Sequence, residues 1–215
     1  MTAASFLKKH SRKEAKYLQL NAGILHDINT LKLPFSSKNY YAFCDKHLDD
    51  DANEALFLDG DEKYFREIAT DYETFRYFAW LRNLHGQEAV FCDIGCGIGN
   101  TLHYTSKMGY RSFGYEINKF LQPVHKKIKA EVEYENILEA DLARLRTVDV
   151  LYLYRPINDT RLMNRLFRLI HQNTRKDVVI LYNYPHTCAL KGYQAILLGP
   201  YEDMVVLVKG SKNDL

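Results

Sequence analysis

Residues 89–100 read Ala89-Val90-Phe91-Cys92-Asp93-Ile94-Gly95-Cys96-Gly97-Ile98-Gly99-Asn100. The apolar run 89–94 is too short for a helix and is predicted to form a strand buried on both faces. Three glycines at alternate positions follow it. Glycine takes positive φ without strain and lets a ligand come close to the backbone, so a glycine turn after a strand suits contact with another molecule. The next segment, 99–108, is predicted to be a helix whose free N–H groups would point at any anion held there. Gly109 stands where a left-handed cap would close that helix.

Working outward, residues 111–116 form a second predicted strand. The helical stretch after it must kink or restart at Pro123, which lacks the N–H an interior turn uses. Residues 131–135 alternate polar and apolar, as an edge strand does. Residues 148–154 and 178–182 are continuous apolar and aromatic runs, and between them Leu162, Leu166, Leu169 and Ile170 share one helical face. Near the end, 193–198 and 204–208 flank a loop too short for anything but an antiparallel hairpin. Upstream, Phe65, Ile68, Ala69, Tyr72, Phe75, Phe78 and Leu81 recur at three- and four-residue steps, predicting one long helix from Asp61, with Gly86 just past its end. Strands alternating with helices specify an α/β fold: a doubly wound, mostly parallel seven-stranded sheet with a C-terminal antiparallel hairpin and an N-terminal helical extension. Residues 1–60 are read as that extension, or a lid, and 61–215 as the main domain.

At 215 residues, one medium domain is expected, and 47% hydrophobic content with 13% aromatics supplies its core. The 29 basic and 27 acidic side chains leave a net charge of +2, which excludes an overtly basic nucleic-acid binder. The charges are segregated: Lys8, Lys9, Arg12, Lys13 and Lys16 face a lone Glu14, whereas residues 44–73 carry eleven acidic against three basic side chains. Cys44, Cys92, Cys96 and Cys188 form neither a CxxC pair nor a disulfide framework, which points to a reducing, cytoplasmic setting. Cys92 and Cys96 have no histidine nearby, so no metal site is expected. No apolar run reaches the ~18 residues of a membrane-spanning helix, and no membrane partner is expected.

The glycine turn departs from the dinucleotide fingerprint G-x-G-x-x-G, whose third glycine position is Asn100 here. It resembles motif I of class I S-adenosylmethionine-dependent methyltransferases, D/E-x-G-x-G-x-G, matched by Asp93, Gly95, Gly97 and Gly99. Phe113-Gly114-Tyr115-Glu116-Ile117 and Glu139-Ala140-Asp141-Leu142 extend the resemblance. It implies S-adenosylmethionine as cofactor and methyl transfer as activity. It further implies that Glu116 grips both ribose hydroxyls, that Asp141 accepts from the adenine amino group, and that Ile117 and Leu142 pack near the base. Asp93 would order the loop and the ammonium end of the cofactor, with Cys96 inside the loop. A carboxylate suits a diol because it can accept two charge-assisted hydrogen bonds.

At the fourth strand's end, Tyr154-Arg155-Pro156-Ile157 lacks the D/N-P-P-Y/F tetrapeptide of adenine and glutamine N-methyltransferases. Tyr154, Arg155, Asn183, Tyr184 and His186 should border the acceptor pocket, beyond the ends of the fourth and fifth strands. Of these, Tyr154, Arg155 and His186 are the candidate catalytic residues: Arg155 could clamp a carboxylate or phosphate, and His186 or Tyr184 could take a proton. A general base is optional where alignment in a dry pocket does most of the work. The expected acceptor is a small molecule or a protein side chain, with nucleic acid disfavoured. The rival expectations are a non-catalytic S-adenosylmethionine-binding scaffold and a dinucleotide-dependent oxidoreductase.

Overall fold

The computed structural model describes residues 22–48, 70–86, 88–183, 192–198 and 204–209. Helices α1 (Ala22–Thr30), α2 (Ser37–Leu48) and α3 (Thr74–His85) precede the sheet. Strand β1 (Val90–Ile94), helix α4 (Asn100–Lys107) and strand β2 (Arg111–Tyr115) follow as one βαβ unit. A short 3-10 turn (Lys119–Leu121) leads to α5 (Gln122–Ile128), which restarts at Pro123 in its first turn, where a missing N–H costs nothing. Then come β3 (Glu131–Glu133), a 3-10 turn (Ala143–Thr147), β4 (Val150–Tyr154), α6 (Thr160–Asn173), β5 (Val179–Asn183), β6 (Tyr193–Leu198) and β7 (Met204–Lys209).

The seven strands form one sheet in the order β3-β2-β1-β4-β5-β7-β6. The first five run parallel, and β7 inserts antiparallel between β5 and β6. The doubly wound sheet with its closing hairpin is therefore as the sequence predicts, and β3 is an edge strand. In register, Asp93 lies opposite Gly114 on one side and Tyr152 on the other, while Tyr154 lies opposite Asn183.

Alternation along the strands divides the core between two faces. Cys92, Ile94, Phe113, Leu151, Leu153 and Ile180 pack under α6. Its Met163, Leu166, Phe167 and Ile170 are buried, and Asp159 caps it by accepting from the N–H groups of Arg161 and Leu162. Phe91, Val150, Tyr152, Leu181 and Val206 face the other way, against α3, α4 and the two N-terminal helices. Ile28 of α1 and Tyr40 and Cys44 of α2 are buried there in the same cluster as the sheet residues. Among the described residues, the N-terminal helices thus form a layer of the core.

One expectation is corrected. A single helix from Asp61 to Leu81 does not form: residues 70–73 are non-helical, and α3 begins at Thr74. In a continuous helix the Thr70 carbonyl would accept from the Thr74 N–H. Here Thr74 donates to Asp71 instead (3.0 Å), and the Thr70 carbonyl takes the Tyr40 hydroxyl. The tertiary partner wins because it satisfies a buried hydroxyl that has no access to water. Residues 61–69 lie outside the described part.

The sheet is tied together at the strands' N-terminal end by Asp149. Its Oδ2 accepts from the Val90 N–H (2.8 Å) and its Oδ1 meets Arg175, joining the starts of β1, β4 and β5. At the edge, Arg144 bridges Glu131 (2.6 Å) and Glu133 (2.9 Å) while lying 3.7 Å from the Phe113 ring centroid. Among the described residues no helix is long and apolar enough to cross a membrane.

Candidate functional site

The glycine turn after β1 is held from two sides. The Gly95 and Cys96 N–H groups donate to the Tyr115 carbonyl (2.8 and 3.1 Å), which docks the turn on the end of β2. Gly95 has φ +77°, and a Cβ there would sit 2.9 Å from the Cβ of Pro156. Glycine is therefore required at this position both by conformation and by space. Gly114 is needed for a different reason, since a Cβ there would meet the Cys96 side chain at 2.9 Å. Cys96 is thereby a packing residue of the loop, and burial pushes its thiol up.

Glu116 is 7% exposed. Its Oε2 accepts from the Gly97 N–H (2.8 Å) and its Oε1 from the Asn118 N–H (2.9 Å). Burial raises its pKa, and backbone N–H donors from Asn118, Gly97 and Ile117 oppose that shift. Each oxygen retains a further lone pair, so the carboxylate can hold the loop and a diol together.

His125, on α5, holds the same loop from outside. Its Nε2 lies 2.7 Å from the Gly97 carbonyl oxygen and its Nδ1 2.6 Å from the Tyr134 hydroxyl. A carbonyl only accepts, so Nε2 carries the proton and Nδ1 accepts from Tyr134. Burial lowers the His125 pKa, which keeps this neutral form.

Asp93 is 2% exposed. Its Oδ2 accepts from the Thr101 hydroxyl, while its Oδ1 has no hydrogen-bond partner among the described residues. Burial pushes its pKa up to about 8, with the Thr101 bond opposing and the nearby Glu116 charge adding to the shift. A buried carboxylate with one bare oxygen is costly unless a cation or a donor arrives to meet it.

A chain of polar groups runs beside it across the same face of the sheet. The Tyr152 hydroxyl meets the Thr70 hydroxyl (3.0 Å) and accepts from Asn183 Nδ2 (2.9 Å). Asn100 Nδ2, at the start of α4, donates to the Tyr40 hydroxyl (2.8 Å). Helices α2 and α4 and strands β4 and β5 are thus linked through buried side chains behind the glycine turn.

The remaining expected residues divide. Ile117 is 48% exposed, next to Glu116. Leu142 is buried in the core under α6. Asp141 is exposed, and its Oδ1 accepts from the Ala143 N–H (2.9 Å), closing the turn into the 3-10 segment. Tyr154 and Arg155 are half-buried at the end of β4. Arg155 has φ +45°, an uncommon and strained value for a residue with a Cβ, and its Nη2 donates to Asn158 Oδ1 (3.1 Å). Tyr184, His186, Cys188 and the basic N-terminal segment lie outside the described residues.

Four residues of this arrangement escape the sequence reading: Thr101, His125, Tyr40 and Thr70. Thr101 has the only local signal, a hydroxyl in the first turn of the helix that follows Asp93. The other three reach the site from distant segments.

No family model and no curated protein matches the sequence. Solved structures do share its fold. An RNA methyltransferase from Salinibacter ruber, in complex with S-adenosyl-L-homocysteine, is 16% identical with a TM-score of 0.52, covering 67% of this chain and 95% of that one. The N-methyltransferase NodS from Bradyrhizobium japonicum, also in complex with S-adenosyl-L-homocysteine, is 13% identical with a TM-score of 0.52, covering 81% of this chain and 100% of that one. The chain has the class I methyltransferase fold.

Proposed function

We propose that this protein transfers a methyl group from S-adenosylmethionine to an acceptor that is a small molecule or a protein side chain. The observation that carries this reading is the pair of buried carboxylates on one glycine turn: Asp93 with its bare Oδ1, and Glu116 bonded to the Gly97 N–H. These groups fit the cofactor's chemistry. Asp93 would meet the ammonium end, Gly95, Cys96, Gly97 and Gly99 would line the backbone cradle, and Glu116 would hold the ribose diol. Exposed Ile117 would lie along the adenine, with Asp141 at its amino group and Leu142 supporting the turn behind it. The cofactor supplies a sulfonium-bound methyl group: one bond forms to the acceptor, the C–S bond breaks, and its electron pair stays on sulfur.

Tyr154 and Arg155 would border the acceptor, and the strained Arg155 backbone suits a residue held for a task. His186 is proposed as the proton acceptor. The near-neutral charge disfavours a nucleic-acid acceptor. Buried free thiols at Cys44, Cys92 and Cys96 support a cytoplasmic setting. Residues 1–60 are proposed as the segment that selects the acceptor, and 61–215 as the cofactor-binding domain.

Calorimetric titration with S-adenosylhomocysteine tests the reading, with saturable binding expected. A rise in melting temperature with NAD or NADP and none with S-adenosylhomocysteine would overturn it.

A further inference from the structure

Asn183 is the last residue of β5 and is 4% exposed. Its Nδ2 is committed to the Tyr152 hydroxyl, which fixes the plane of the amide. Its Oδ1 is buried without a hydrogen-bond partner among the described residues. Asp93, Tyr152 and Asn183 belong to one face of the sheet, with Asp93 opposite Tyr152 in register and Asn183 opposite Tyr154. At about 4.8 Å per strand, β1 and β5, which carry the two bare oxygens on either side of β4, lie roughly 10 Å apart, with Asn183 two residues further toward the C-terminal ends of the strands. Asp93 Oδ1 is accounted for by the cofactor's ammonium. Asn183 Oδ1 is a second unmet acceptor, displaced toward the side where β4 ends in Tyr154 and Arg155. An unmet buried amide oxygen persists at a cost unless a donor arrives with a ligand.

We propose that Asn183 binds the methyl acceptor, its Oδ1 taking the hydrogen bond of an N–H or O–H on the very atom that is methylated. This rests on the methyl-transfer reading above and adds the acceptor's chemistry. The substrate is an amine, amide or hydroxyl, and a thioether or a bare ring carbon, which offers no such donor, is rejected. Binding the hydrogen to Asn183 turns the lone pair of the same atom toward β4. As that lone pair bonds to the methyl carbon, the C–S electron pair returns to sulfur and the acceptor's proton passes to His186, the proton acceptor proposed above.

The experiment compares the full chain with Asn183→Leu and Asn183→Asp. Tritium-labelled S-adenosylmethionine is added with a cell extract, and S-adenosylhomocysteine affinity and melting temperature are measured alongside. Leucine has a similar volume; it removes the unmet oxygen along with the Nδ2 bond to Tyr152, two effects of opposite sign, so affinity is expected to stay put and melting temperature to change little while labelling falls by about tenfold or more. Asn183→Asp, which keeps an oxygen there, should lose less. Full labelling by Asn183→Leu overturns the inference. A fall in affinity and melting temperature that tracks the labelling in both variants also overturns it, because that marks a structural role. A wild-type product labelled on sulfur or carbon rejects the acceptor class while leaving methyl transfer intact. Failure of the wild-type protein to bind S-adenosylhomocysteine or to label any product removes the underlying reading, and the inference with it.

Discussion

The Gly97 N–H points at Glu116 Oε2 from 2.8 Å, so the glycine turn and the end of β2 are joined through a carboxylate that is itself buried. Glu116→Gln would replace one accepting oxygen with a donating NH2 that faces a backbone N–H. The loop loses a hydrogen bond and the diol loses a charged acceptor. At about 1.5–3 kcal/mol for each charge-assisted bond, S-adenosylhomocysteine affinity should fall tenfold or more. Calorimetry on the folded variant checks this, and unchanged affinity would reject the ribose role.

Gly95→Ala tests the loop itself. The added methyl must coexist with Pro156 Cβ at 2.9 Å and with φ +77°. A cost of about 1–3 kcal/mol is expected from the combination of crowding and backbone strain. For a chain of this size that is a drop in melting temperature of about 2–4 °C per kcal/mol, readable by thermal denaturation.

Asp93 gives the stability a pH dependence with a definite sign. Its folded pKa is pushed up to about 8 from the ordinary carboxyl value of 3.8. The folded state therefore keeps a proton that the unfolded chain gives up. The favourable contribution is complete below about pH 4 and is lost progressively as pH rises to about 8. Asn is uncharged and still offers Thr101 an oxygen, so Asp93→Asn should melt higher than the wild type at neutral pH, with a margin that shrinks as pH falls toward 4. A margin that grows on acidification would reject the burial argument.

Tyr40→Phe isolates the link between the N-terminal helices and the site. The ring and its packing remain, while Asn100 Nδ2 loses its acceptor and the Thr70 carbonyl loses its donor. Leaving buried groups unmet costs about 1–3 kcal/mol, expected as a lower urea midpoint at an unchanged m-value.

The elements around the cofactor turn are legible in sequence because their signals are local. The apolar run of β1, the glycines after it, Gly109 at the end of α4 and Pro123 at the start of α5 each act through the chain's own conformational limits. The same holds for Glu116, which sits at a strand end. The break at residues 70–73 is not legible, because the periodicity of Tyr72, Phe75 and Phe78 reads through a carbonyl that Tyr40 captures from more than twenty residues away. His125 is hidden for a similar reason: its ring would lie 3.1 Å from a Cβ at Gly99, yet no sequence pattern ties it to Gly97. Asn183 is legible as the end of a strand. Its bare oxygen emerges only from the commitment of its other amide atom to Tyr152.

Asp149 sits at the opposite end of the sheet from the glycine turn, where it joins the starts of β1, β4 and β5 with Arg175 alongside. The strands are thus fastened at one end and furnished at the other. Residues such as Tyr154, Arg155 and Asn183 can be exchanged by an experimenter selecting for new acceptors while the anchor stays untouched. A library confined to those strand tips should retain a high proportion of foldable members, whereas one that also varies Asp149 and Arg175 should not.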